Sequence, residues 1–163
     1  MPSQASVLAT VIDPHHASRI EVETASGFHL TYDTADSGTG RAGPGPTESL
    51  LAALASCASL DVAAILRKKR QSALSYRIAV SGQRADEHPQ VYTGIVVEHQ
   101  VSGDVEPEAL RRAIELSATA YCPVSAMLSR GVRIEHRYSL ARDGGEPVSA
   151  LVAITGPEGA QVL

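Results

Sequence analysis

Two thiols are the residues of this chain best able to do chemistry. Cys57 lies in GPTESLLAALASCASLDVAAILRKKR, Gly45 to Arg70, and Cys122 follows 65 residues later in YCPVSAMLSRG. Two cysteines in one chain support three outcomes: inert packing, metal ligation, or a pair that cycles between dithiol and disulfide. Their local settings differ. Pro123 suits the first position of a short helix, so Cys122 stands at an N-cap, where free N–H groups and the positive end of the helix dipole favour a thiolate. Cys57 stands mid-helix among apolar neighbours, and burial disfavours the charged form of a thiol. Asp61 is one turn further along on the same side, and its charge opposes a thiolate unless a cation intervenes. On these local grounds Cys122 is the better thiolate, and Cys57 needs a basic helper.

Arg19, Arg41 and Arg130 are the candidate helpers. Glu48, in the first turn of the Cys57 helix, either complements the dipole or holds an arginine through a bidentate pair. Spacing gives metal ligation no support. The two cysteines and six histidines show neither CxxC nor HxxxH, and His15-His16 are adjacent in a loop. No metal and no cofactor are expected. A cysteine hydrolase needs a histidine base beside its thiol, and no sequence feature places one there.

The elements that must position these residues follow from periodicity. Leu50 to Leu66 contains one charged side chain, Asp61, and is otherwise mostly Ala, Leu, Val and Ile. A helix apolar nearly all round is a core helix. At 1.5 Å per residue it spans roughly 30 Å. Pro46-Thr47 supplies a stop and a capping hydroxyl at its start. Lys68, Lys69 and Arg70 put positive charge at its C-terminal end, where the dipole favours it.

Before this helix, Val7 to Ile12 reads as a strand ended by Asp13-Pro14. Arg19 to Thr24 and Phe28 to Tyr32 alternate around Ala25-Ser26-Gly27 as a hairpin. Asp33 to Gly45 is a loop. After the helix, Tyr76 to Ser81 and Val91 to Val101 alternate as strands, separated by a turn at Gln83 to Gln90. Pro107 opens a second helix, Glu108 to Tyr121, and Pro123 a third, Val124 to Ser129, closed by Gly131. Val132 to Leu140 alternates as a further core strand. Asp143-Gly144-Gly145 is a turn, Val148 to Ile154 an edge strand, and the last residues frayed. This order does not alternate as parallel βαβ units do. It predicts an α+β fold, with antiparallel sheet packed on two principal helices.

Composition narrows the function classes. At 163 residues the chain has the size of one domain. A hydrophobic fraction of 44% supports a core, and 4% aromatics make that core aliphatic. A net charge of −4 argues against a nucleic-acid surface. No window approaches about 18 uninterrupted apolar residues, so no membrane span is expected. The N-terminal residues lack the basic start and apolar core of a signal peptide. A cytoplasmic protein is the resulting expectation, and two cysteines in a reducing compartment are not a disulfide scaffold.

The two cysteine segments together, GPTESLLAALASCASLDV and YCPVSAMLSRGVRIEH, resemble the OsmC/Ohr family of thiol peroxidases. The resemblance runs over roughly Ser18 to Leu140. It implies one OsmC-like domain over residues 1–163, with its core at about 18–140 and extensions at both ends. It also implies a homodimer whose subunits exchange elements. By family analogy Cys57 is the peroxidatic cysteine and Cys122 the resolving one, which reverses the local ranking. The implied reaction reduces an organic hydroperoxide through a Cys57–Cys122 thiol/disulfide cycle, in defence against oxidative stress. A dithiol, such as a lipoylated protein, restores the thiols.

The match has departures. In the better-studied branches a catalytic glutamate follows the proline directly, whereas here Thr47 does and Glu48 comes next. A subgroup with glutamate at the Glu48 position and the CxxxD pattern of Cys57 and Asp61 looks closer. The family's essential arginine lies on the first hairpin, near Arg19, and Arg41 is the alternative. The competing reading is a noncatalytic dimer of the same fold that binds an apolar small molecule beside Cys57. A third reading, structural packing of both cysteines, predicts sulfurs far apart.

Overall fold

The structure, a computed structural model, describes residues 5–12, 19–34, 40–142 and 146–163. They fall into two compact units, Met1–Leu50 and Leu51–Leu163. Asp13-Pro14, His15-His16 and the Asp143-Gly144-Gly145 turn lie outside the described residues, as does part of the Asp33 to Gly45 loop.

The N-terminal unit holds a three-stranded antiparallel sheet of β1 (Val7–Val11), β2 (Arg19–Thr24) and β3 (His29–Asp33). The β2–β3 hairpin is the expected one, with Val22 opposite Leu30 and Ile20 opposite Tyr32. Gly27 takes φ 86° in its turn, a conformation that glycine adopts without steric cost. Thr24 closes the turn, its Oγ1 accepting from Phe28 N–H at 3.0 Å.

Helix α1 (Pro46–Lys68) begins in this unit. Thr47 lies one residue inside the helix and is not the cap. Glu48 provides that function: its Oε2 accepts from Gly45 N–H at 2.7 Å, the backward half of a capping box. The apolar sequence predicts burial nearly all round, but only the stripe Leu54, Ala58, Val62 and Leu66 is buried. Leu60 is 73% exposed and Leu50 45%. By length and mean hydropathy α1 is apolar enough to cross a membrane, as a core helix of a soluble fold also is. Ser56, Ser59 and Asp61 interrupt the apolar run, so no stretch of about 18 residues is continuously apolar. Its buried stripe instead joins the core of the C-terminal unit.

That unit carries a five-stranded sheet in the order β4 (Ser72–Arg84), β5 (Tyr92–Asp104), β6 (Arg133–Ala141), β7 (Val148–Gly156) and β8 (Gly159–Val162). On β5 the alternation holds: Ile95, Val97, His99 and Val101 are buried on one face. Fully burying an aliphatic side chain of this kind is worth about 1.5–3 kcal/mol. The pairing of β5 with β6 is parallel, and the other pairs are antiparallel. The expected absence of βαβ connections is therefore corrected at one place. Two helices separate β5 from β6, enough chain to return to the strand's starting end. The last residues pair as the edge strand β8 instead of fraying, which moves β7 inside the sheet.

Between β5 and β6 run α2 (Pro107–Leu116), a π-helical turn at Ser117–Tyr121, and α3 (Pro123–Leu128). The expected second helix thus changes pitch after Leu116. Cys122 N–H donates to Ser117 O at 3.0 Å, the longer-range bond of a π turn. This widened turn precedes the second cysteine directly.

Candidate active site

Three elements bring one cluster together. Helix α1 supplies Cys57 and, one turn later, Asp61; the junction between the π turn and α3 supplies Cys122. The two sulfurs and an Asp61 carboxylate oxygen all lie within 4.8 Å of one another. Both cysteines are free thiols. Cys122 packs in a core of Leu54, Ile95, Val97, Val132 and Ile134, with Cys57 partly buried against it. Sulfurs this close exclude the reading in which the cysteines pack far apart.

Cys122 is the N-cap of α3, as the sequence predicts. It has extended backbone at φ −73° and ψ 104°, and its Sγ accepts from Ser125 N–H at 3.3 Å. The expected electrostatic consequence does not follow. Burial pushes the Cys122 thiol up to about 12, and contact with the Cys57 side chain adds to the rise. The N–H groups of Ser125 and Val124 pull the other way and lose. Cys122 is 3% exposed, and a one-turn helix start cannot replace the water that a thiolate would give up. Cys57, by contrast, is half-buried.

Asp61 is half-buried and accepts a hydrogen bond from Ser117 Oγ at 3.1 Å. It forms no ion pair among the described residues. Its charge also acts on Tyr76, whose phenol is raised by burial first and by Asp61 second. The Tyr76 hydroxyl lies 2.7 Å from His99 Nδ1, and the two rings stack with centroids 5.9 Å apart. His99 Nε2 is buried without a hydrogen-bond partner. His136, buried on β6, is 3.3 Å from Thr155 Oγ1 through Nε2. Neither histidine belongs to the sulfur cluster. Alternation along β5 and β6 signals that both imidazoles face inward, but not what they touch.

The remaining candidates sit in the N-terminal unit or on the surface. Arg19 is exposed on β2, 3.7 Å from Asp33 Oδ2. Arg41 Nη1 lies 3.6 Å from Glu48 Oε2 in an exposed pair with a single contact. Arg130 lies exposed in the turn after α3. The sequence placed Asp61 on the Cys57 side of α1 but gave no sign that Cys122 would meet it.

A family model described as OsmC-like protein matches residues 37–137. The chain belongs to the OsmC-like family. Protein YhfA of Escherichia coli (strain K12) is 35% identical over 119 residues, which cover 72% of this chain and 87% of that protein. A hypothetical protein from Aquifex aeolicus VF5 superposes with a TM-score of 0.76 at 27% identity, covering 87% of this chain and 99% of the other. An organic hydroperoxide resistance protein from Elizabethkingia anophelis shares the fold, with a TM-score of 0.63 at 12% identity, over 88% of this chain and 99% of that one. The α+β fold of the OsmC/Ohr proteins is thus the fold of this chain, and the solved structures that share it include proteins named for organic hydroperoxide resistance.

Proposed function

We propose that this OsmC-like chain is a cysteine-dependent peroxidase that reduces organic hydroperoxides through Cys57 and Cys122. The observation that supports it best is the approach of the two sulfurs within 4.8 Å, in a family that includes hydroperoxide-reducing enzymes. The difference in exposure favours the family's order of roles. Half-buried Cys57 meets the hydroperoxide, and buried Cys122 waits as a thiol.

The steps balance as follows. The Cys57 thiolate attacks one peroxide oxygen, the O–O bond breaks, and the departing alkoxide takes a proton and leaves as alcohol. Cys57 is now a sulfenic acid. The Cys122 sulfur attacks it, the S–S bond forms, and the sulfenic hydroxyl leaves with the Cys122 hydrogen as water. A dithiol such as a lipoylated protein then reduces the disulfide by exchange and is itself oxidised.

Arg19 and Glu48 take the supporting roles that the family resemblance assigns, with Arg41 as the alternative cation. The working unit is a cytoplasmic homodimer of one OsmC-like domain per chain. The apolar outer side of α1, with Leu60 73% exposed, favours a second copy as its cover.

The test is the intact mass of the reduced protein after one equivalent of an organic hydroperoxide, without reductant. Loss of two hydrogens together with both thiols is expected. An unchanged mass with two intact thiols would overturn the proposal.

A further inference from the structure

We infer that Cys57, Asp61 and Cys122 form a binding site for a thiophilic divalent cation, with Zn²⁺ as the ion of best fit. The donor set is two sulfurs and one carboxylate oxygen, all within 4.8 Å of one another. Zinc holds sulfur at about 2.3 Å and carboxylate oxygen at about 2.0–2.2 Å, so tetrahedral donors stand roughly 3.5–3.8 Å apart. The present separations, all within 4.8 Å, exceed that spacing by no more than about 1.3 Å. Cys57 and Asp61 are held in phase by one turn of α1, and Cys122 is fixed at the α3 N-cap.

The surroundings favour the same ion. Ser117 Oγ donates to Asp61 Oδ2 at 3.1 Å, and Ser125 N–H donates to Cys122 Sγ at 3.3 Å. These are the outer contacts that orient metal ligands. Asp61 is a half-buried anion with no ion pair among the described residues, and it lies beside two sulfurs whose thiolates it would repel. A divalent cation satisfies all three groups at once. Thiolate sulfur selects zinc over the hard cations magnesium and calcium. Three protein ligands leave the fourth tetrahedral position for water.

Both sulfurs bind as thiolates, so any thiol proton leaves to solvent on binding, and two thiolates, one carboxylate and one divalent cation leave the site with one net negative charge. No oxidation is involved. A disulfide between the same sulfurs removes two of the three donors, so oxidation of the pair expels the ion. The inference rests on the geometry of the three residues, and it stands whether or not the pair reduces hydroperoxides.

The experiment titrates Co²⁺ into the reduced full-length protein, followed by displacement with Zn²⁺. Expected are one Co²⁺ per chain, thiolate-to-cobalt charge-transfer absorption, and tetrahedral visible bands that Zn²⁺ abolishes. Asp61→Asn should weaken binding at least tenfold, and Cys57→Ser should remove most of the charge-transfer intensity, with circular dichroism showing that each variant is folded. Protein oxidised to the disulfide should show no band. Absence of charge-transfer absorption in the reduced protein, or equal affinity in folded Asp61→Asn, overturns the site. Hydroperoxide turnover by the metal-free protein is measured separately, so failure of the peroxidase reading shows independently.

Discussion

The Tyr76 hydroxyl and His99 Nδ1 meet at 2.7 Å across the β4–β5 pair, with His99 buried and Tyr76 partly so. Burial lowers the His99 imidazole to about 3, with His136 adding to the fall. Burial likewise lowers His136 to about 4. Both imidazoles are therefore neutral in the folded chain at pH values where unfolded histidine is charged.

The pH dependence of stability follows from that difference. A depressed folded value means that the stabilisation is complete above the unfolded value of 6.5 and is lost as pH falls toward 4 and 3. From pH 7 to 5 each histidine should cost about 2 kcal/mol, the unfolded imidazole being only partly protonated at the upper end of that range. Urea midpoints at pH 7 and pH 5 measure it, and His136→Gln should flatten the slope by about half. A midpoint that does not move would contradict the buried neutral pair.

The thiols should differ in reactivity. Cys122 is 3% exposed and pushed up to about 12, whereas Cys57 is half-buried. With limiting iodoacetamide at pH 8, alkylation should reach Cys57 first, by at least tenfold. Peptide mapping reads the order, and labelling of Cys122 first would reverse the proposed roles.

Removing the resolving thiol should expose the intermediate. Cys122→Ser keeps the size of the side chain but cannot condense with a sulfenic acid. Under hydroperoxide this variant should gain oxygen at Cys57 and pass on to sulfinic acid. Cys57→Ser should lose turnover by orders of magnitude. Mass spectra that show Cys122→Ser unoxidised would place the primary attack elsewhere.

Much of this arrangement was legible in local patterns, and the rest depended on distant partners. Alternation in Val91 to Val101 and Val132 to Leu140 located β5 and β6, because each buries a single face. Their parallel pairing was not readable, since it depends on where α2 and α3 deliver the chain. Pro123 marked the cap at Cys122, but the π turn before it adds a residue that helical spacing does not reveal. β8 is four exposed residues without an alternating signal, and only its pairing with β7 orders it. The thiolate expectation at Cys122 failed because desolvation is set by tertiary packing from α1 and the sheet, which no local window contains.

Two glycines of β5 should respond oppositely to alanine. Gly103 has φ +119°, and an added Cβ would stand 2.6 Å from both Leu74 N and Ser72 O, at the β4 irregularity. Backbone atoms there cannot yield cheaply, so Gly103→Ala should cost at least about 2 kcal/mol. At Gly94 an added Cβ meets nothing within 4 Å. Gly94→Ala should stay within about 0.5 kcal/mol of the parent. Chemical denaturation of both variants decides it, and equal effects would refute the close approach at Gly103.

The outer side of α1 yields the last prediction. Ala58 and Val62 face the core, and Leu60, between them in sequence, points away and is 73% exposed. An apolar helix with one buried stripe leaves its other side to water unless a partner covers it. Leu60→Glu removes no core contact, so the chain should fold as before. If a second copy covers this side, the substitution places a charge in a desolvated interface and should weaken dimerisation roughly a hundredfold, about 2.7 kcal/mol. Sedimentation equilibrium of the parent and variant measures this. A parent that sediments as a monomer at all concentrations would remove the homodimer. A variant that dimerises as tightly as the parent would move the interface away from Leu60.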